Sequence, residues 1–257
     1  MKKISIIGSG NVATHLALSL KEKFFCIHQI YSRNIENAKQ LANLVNAKYT
    51  SKITEIEKVD LTIISVADDV INQIIENLEG NNIVHTSGSV SLDVFNNKYT
   101  NFGVLYPLQT FNKKNTIDVT TTPFLIEGNN DKFEKQLVKI ASKISNNISI
   151  LKSEEREKIH LAAVFACNFS NHMYVIANNI LKKSNIDFSI LMPLLKQNIS
   201  KINNSNPLKL QTGPAKRRDF KVIKKHIKQI EDNEIKLIYQ LITKSIIDTN
   251  EKIETNE

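Results

Sequence analysis

Gly8-Ser9-Gly10-Asn11-Val12-Ala13 places two glycines and a small residue at the spacing G-x-G-x-x-A, between the apolar run Lys3–Ile7 and a segment of helical periodicity. A backbone of this kind binds anions by itself. Gly8 permits a tight turn, Gly10 lets the main chain approach a pyrophosphate, and Ala13 allows close helix–strand packing, while the helix N-terminus presents free N–H groups and a positive dipole end. Ser9, Asn11 and Val12 complete the loop. The chemistry implied is dinucleotide binding, with NAD(P) the expected ligand. The competing reading is a glycine turn that serves chain reversal alone.

An acidic side chain at the tip of the second strand accepts from the ribose 2′-OH of NAD and repels the 2′-phosphate of NADP. Here that tip reads Tyr31-Ser32-Arg33-Asn34 and carries no carboxylate. Ser32 and Arg33 can donate to phosphate, which favours NADP over NAD, although Arg33 reads equally as a solvated loop residue. Ser65-Val66-Ala67-Asp68-Asp69 ends another apolar run, where Val66 and Ala67 would pack on the cofactor and the two aspartates would cap a helix. His85-Thr86-Ser87-Gly88-Ser89 brings an imidazole and several hydroxyls to the same edge. His85 and Ser87 are therefore candidates for substrate and cofactor, against the plainer reading of a Ser/Gly turn beside a buried histidine.

Polar residues also interrupt a greasy helical stretch farther on. His160, Asn168, Asn171 and His172 fall inside an otherwise apolar pattern, and their spacing puts them near one helical face. Buried polar groups must be satisfied, so the four bond one another and the backbone or face a ligand cleft. Four together favour the cleft.

Elements must position these groups. Short apolar runs alternate with helical patterns: strands at 3–7, 27–32, 60–66, 82–86, 101–106, 123–127 and 148–151, and helices at 11–24, 35–45, from 68 or 69, and 131–145. From 153 onward only helical patterns follow, at 154–183, 187–203, 219–230 and 233–249. The expected fold class is α/β: a doubly wound Rossmann sheet over 1–151, then an all-helical domain over 152–257. The first of the late helices is apolar almost all round, which predicts burial.

The chain has 257 residues, 41% of them hydrophobic, and only 7 Gly and 5 Pro, which excludes collagen-like and disordered classes. Cys26 and Cys167 sit in apolar runs and read as buried hydrophobes in a reducing compartment, so a cytoplasmic location is expected. The apolar run of the N-terminal segment stops at Gly8, too short for a signal sequence, and no run is long enough to span a membrane. The net charge of +8 is local: residues 209–228 carry eight Lys and Arg against Asp219 alone. That stretch lacks the aromatic interleaving of a nucleic-acid surface, and no nucleic-acid partner is expected. No metal site is expected either, since the histidines have no Cys or carboxylate at ligand spacing.

GSGNVATHLA, YSRN, SVADDVI, HTSGS, YPLQTF, HLAAVFACNFSNHMY and LQTGPAKRRD, in that order, resemble the Rossmann-like proteins that carry the domain of unknown function DUF2520. That family is similar to the 6-phosphogluconate dehydrogenase C-terminal-like reductases and dehydrogenases. The resemblance implies an N-terminal NADP-binding domain, a helical C-terminal domain, a homodimer, and hydride transfer to or from a small carbonyl, imine or hydroxy-acid substrate. Those relatives place a lysine, with an asparagine one or two turns later, on the first long helix of the second domain; here Lys158 is available, but the polar positions inside the apolar stretch are His160, Asn168, Asn171 and His172. His160 then becomes the candidate acid/base, since imidazole ordinarily titrates near neutrality. Asn168 and Asn171 would orient the substrate, with His85, Gln109 and His172 around it. Arg217 and Arg218, in a loop that can lie over the cleft, would meet an anionic group. Tyr106 stands where prephenate dehydrogenases carry a histidine, which argues against prephenate. The missing lysine also admits an alternative: a catalytically silent NADP-binding sensor.

Overall fold

A computed structural model describes residues 2–113, 117–203 and 205–254. In chain order the first part runs β1 (Lys3–Ile7), α1 (Asn11–Glu22), β2 (Cys26–Tyr31), α2 (Ile35–Val45), β3 (Lys48–Thr50), β4 (Leu61–Ile64), α3 (Asp68–Asn77), β5 (Asn82–His85), β6 (Asn101–Pro107), β7 (Phe124–Gly128), α4 (Asp131–Ile144) and β8 (Ile148–Ile150). The strands form one sheet in the order β3-β2-β1-β4-β5-β6-β7-β8. Chain direction reverses its march across the sheet between β1 and β4, which is where ligands bind in folds of this type.

Helices cover both faces, so the inner strands bury both sides and read as continuous apolar runs. Ile4 and Ile6 of β1 point into a cluster with Leu16 and Leu20 of α1 and Phe133 and Leu137 of α4. Ile7 points the other way, to Ile71, Ile74 and Ile75 of α3. Asparagines punctuate the helices: Asn34 caps the start of α2 through its side chain, and Asn46 closes it in the left-handed conformation.

Two features differ from the sequence expectation. The edge strand β3 is three residues long, too short to give a pattern. Strand β7 runs antiparallel to β6, while the other paired strands are parallel. A parallel neighbour needs a crossover helix. Among the described residues between β6 and β7 there is only one 3₁₀ turn, Val119–Thr121.

The remainder is helical: α5 (Ser153–Ala163), a π-helical turn (Val164–Phe169), α6 (Ser170–Lys182), α7 (Met192–Ile202), α8 (Phe220–Gln229) and α9 (Asn233–Glu254), with short 3₁₀ turns between. The chain divides into two compact units, one ending at Asn168 and one beginning at Phe169. Helix α5 thus goes with the sheet rather than with the helices after it. Its Arg156 is buried and bonded to Glu127 on β7, which fixes the helix to the sheet.

The expected burial of the apolar helix is not found. Leu161, Phe165, Phe169, Val175 and Ile180 are exposed. Cys26 and Cys167 are exposed as well, correcting the expectation of buried thiols: the first opens β2 and the second lies on the π-helical turn. Among the described residues no helix is long and apolar enough to cross a membrane.

Candidate functional site

Parallel register aligns the carboxyl ends of four strands. Ile7 pairs with Tyr31 and with Ile64, and Ile64 pairs with His85, so the segments that follow these strands emerge side by side. They line a cleft of about 600 Å3.

One end of the cleft is the glycine loop. Gly8 has φ of 126°, and a Cβ there would lie 2.0 Å from the Ser65 carbonyl oxygen, so no side chain fits where the loop crosses the tip of β4. Gly10 stands otherwise: a Cβ on it would meet nothing within 4 Å, because the residue faces the open cleft. Gly10 caps α1 without a side-chain hydrogen bond, leaving the first N–H groups of the helix to a ligand. Ser9 Oγ donates to Ser32 Oγ at 2.9 Å, tying the loop to the tip of β2. Lys113 donates from Nζ to the Ser9 carbonyl and from its backbone N–H to Asn11 Oδ1. Asn11, Val12, Ser32, Arg33, Val66 and Ala67 also line this end, and Arg33 is exposed. The residues present therefore fit a dinucleotide: an open anion cradle, two hydroxyls and a guanidinium at the β2 tip.

The other end is built by Ser87, Gly88, Tyr106, Gln109, His160, Cys167 and Asn168. Tyr106 Oη lies 2.9 Å from His160 Nδ1. His160 and Asn168, eight residues apart, would stand roughly 80° apart around a regular α-helix. The wide π-helical turn between them takes up about one extra residue, which rotates Asn168 back towards the face of His160. Nothing in the residue pattern announces that turn.

Several charged groups escape a reading of the sequence. Asp68 does not cap α3: the cap is Ala67, and the Asp68 carboxylate accepts from Ser89 Oγ while lining the cleft. Arg156 lies one helical turn before His160 and pairs with Glu127, and Ser153 joins them instead of capping α5. A glutamate inside the strand run FLIEG was the available signal, since a charge in such a run needs a buried partner.

His85 is fully buried and stacked on Phe95 at 5.6 Å between ring centroids. Its Nδ1 accepts from the Ser87 N–H. Burial, aided by the Arg156 charge, pushes its pKa down to about 3, so the ring is neutral. His85 does not line the cleft, which sets it apart from the substrate contact its position in the sequence suggests. Asn171 and His172 fall on α6 in the second unit and are exposed. Arg217 and Arg218 are exposed in the same unit, on the turn before α8, where Arg218 pairs with Glu251 at 3.4 Å. Of the basic stretch, Lys221, Lys224, Lys225 and Lys228 lie on α8 itself, and Asp219 caps that helix by accepting from the Val222 N–H.

Two family profiles match. Residues 3–94 match the family described as NADP oxidoreductase, coenzyme F420-dependent, and residues 122–246 match the domain of unknown function DUF2520. A candidate NADP oxidoreductase from Bacteroides fragilis is 38% identical over 96% of this chain and 98% of that one, with a TM-score of 0.89. A protein from Thermotoga maritima is 24% identical over 98% and 99%, with a TM-score of 0.69. A reductive aminase from Aspergillus terreus, solved with NADPH and ethyl-5-oxohexanoate, shares the fold at 11% identity, covering 97% and 88%, with a TM-score of 0.63. No curated protein matches.

Proposed function

The chain belongs to the Rossmann-like oxidoreductase family that carries the DUF2520 domain, and from that membership we propose that it binds NADP(H) and transfers a hydride to or from a small carbonyl, imine or hydroxy-acid substrate. The observation that carries this reading is one cleft with an uncapped glycine-loop helix at one end and the Tyr106–His160 pair at the other.

In this reading the backbone of Gly8, Ser9, Gly10, Asn11 and Val12 holds the pyrophosphate, and Val66, Ala67 and Ser87 pack along the remainder. Ser32 and Arg33 meet the 2′-phosphate, so NADP is proposed over NAD. Bound there, the cofactor supplies a hydride from its nicotinamide C4. His160 exchanges a proton with the substrate heteroatom, and Asn168 and Gln109 orient the substrate by hydrogen bonds. Titration of wild type and Arg33→Ala with NADPH and NADH tests the proposal. NADPH should bind more tightly to wild type, and the preference should vanish in the variant. Equal affinities in wild type would refute the choice of NADP, and binding of neither would refute the function.

We also propose a homodimer. Among the described residues from Phe169 onward only Ala215, Ile223 and Asn250 are buried, while Ile190, Leu194, Ile199, Leu237 and Leu241 are exposed. A helical unit with so little core of its own needs another apolar surface to cover it.

A further inference from the structure

Tyr106 and His160 reach each other across Gly88. The two rings stand edge-on, 74° apart in plane with centroids 5.8 Å apart. A Cβ on Gly88 would lie 2.7 Å from both His160 Nδ1 and Tyr106 Cζ, so the missing side chain is what lets the phenol of β6 and the imidazole of α5 meet over the backbone. Two further charges act on the phenol: Asp68 at the start of α3 and Arg156 on α5. Cys167 is another titratable group on the same cleft. An imidazole whose Nδ1 is held by a phenol has only Nε2 left for a substrate.

We infer that Tyr106 is a positioning residue that fixes the ring orientation and tautomer of His160, leaving Nε2 as the atom that exchanges a proton with the substrate. The inference rests on the hydride-transfer reading of the cleft. When a carbonyl or imine carbon gains the hydride, its π pair moves to the heteroatom, which takes the proton from Nε2 of the imidazolium. The ring left behind is the Nδ1–H tautomer, and that N–H donates to Tyr106 Oη. Before the transfer the same oxygen accepts the same proton, so the bond persists and no ring has to turn. Burial, with Asp68 adding to it, raises the Tyr106 pKa above its ordinary value. The phenol therefore stays protonated wherever an imidazole titrates, and its own proton is not spent.

The test is a 1H–15N NMR titration of the full chain labelled in histidine, with His160→Gln used to assign the signal. In wild type, neutral His160 should populate the Nδ1–H tautomer, and a predominant Nε2–H tautomer overturns the inference. In Tyr106→Phe its nitrogens should average as in free imidazole, and its midpoint should move by about 0.5 pH unit or more. Incorporating 3-fluorotyrosine at position 106 keeps the size of the ring and makes the phenol more acidic; it should move the same midpoint even if the phenylalanine variant folds poorly. An unchanged His160 titration in both proteins overturns the inference. NADPH titration of the same wild-type sample reads the functional proposal separately: failure to bind refutes the oxidoreductase reading and leaves the tautomer result standing.

Discussion

Arg156 Nη1 lies 2.5 Å from Glu127 Oε2, with the two side chains 1% and 6% exposed. The same carboxylate oxygen accepts from Ser153 Oγ at 2.7 Å, and Arg156 Nη2 donates to the Val90 carbonyl at 2.6 Å. The Leu92 N–H closes the network on Ser153 Oγ. One charged cluster thus joins α5 to β7 and to the 90–92 segment, directly beneath the helix turn that carries His160.

Breaking this pair from one side strands a buried charge. Arg156→Met or Glu127→Gln is expected to lose about 3–5 kcal/mol of unfolding free energy, because the remaining partner keeps its desolvation cost without its counter-charge. The double variant Glu127→Leu/Arg156→Met should recover most of that loss. Urea unfolding of the three proteins measures it. A double variant as unstable as the singles would show that the loss does not come from a stranded charge.

Gly8 and Gly10 separate folding from ligand binding. Gly10→Ala adds a methyl that meets no protein atom within 4 Å. Its melting temperature should match wild type while NADPH affinity falls by about tenfold, or about 1.4 kcal/mol, since the methyl stands where the pyrophosphate must approach. Gly8→Ala drives its methyl into the Ser65 carbonyl and should lower the melting temperature itself. Undiminished NADPH affinity in Gly10→Ala would remove the pyrophosphate from this loop.

How much of this was legible in the residues follows from the range of the interactions. Strand β4, with Leu61, Ile63 and Ile64 fully buried, announces itself because both its faces are covered. The glycine loop is equally readable, since its G-x-G-x-x-A spacing between a strand and a helix lies within six residues, although the clash that bars a side chain at Gly8 comes from Ser65 at the tip of β4. The Tyr106–His160 contact is not, because it joins residues 54 apart through a gap at Gly88 that only the folded chain creates. His85 looked like a ligand of the cleft by position, yet the pleat turns it inward against Phe95. The direction of a strand's last residue depends on register, which local pattern does not fix.

Burial of His85 makes stability depend on pH. Its folded pKa is about 3 against an ordinary 6.5, so between these values the unfolded chain binds a proton that the folded one refuses. Its contribution is complete above pH 6.5 and is lost as the pH falls towards 3, with a slope approaching about 1.4 kcal/mol per pH unit. Glu57, held at about 2 by Lys48 and His28, adds its own loss in acid. Comparison with His85→Gln isolates the imidazole. Urea midpoints of wild type should decline more steeply from pH 6.5 to 4.5 than those of the variant. Parallel curves would mean that His85 protonates without penalty.

The exposed faces of the second unit carry the last expectation. Leu237 and Leu241 lie one turn apart on α9, and both are more than half exposed. A lone chain would leave this apolar stripe in water, at a cost of roughly 25 cal/mol for each Å2 left uncovered. In a homodimer a second copy covers it. Sedimentation equilibrium should give twice the chain mass for wild type, and its melting temperature should rise with protein concentration. Leu237→Glu/Leu241→Glu puts two carboxylates into the seam and should yield a monomer of lower stability. If the wild-type chain sediments as a monomer at all concentrations, these helices are covered by something other than a second copy, and the homodimer proposal fails.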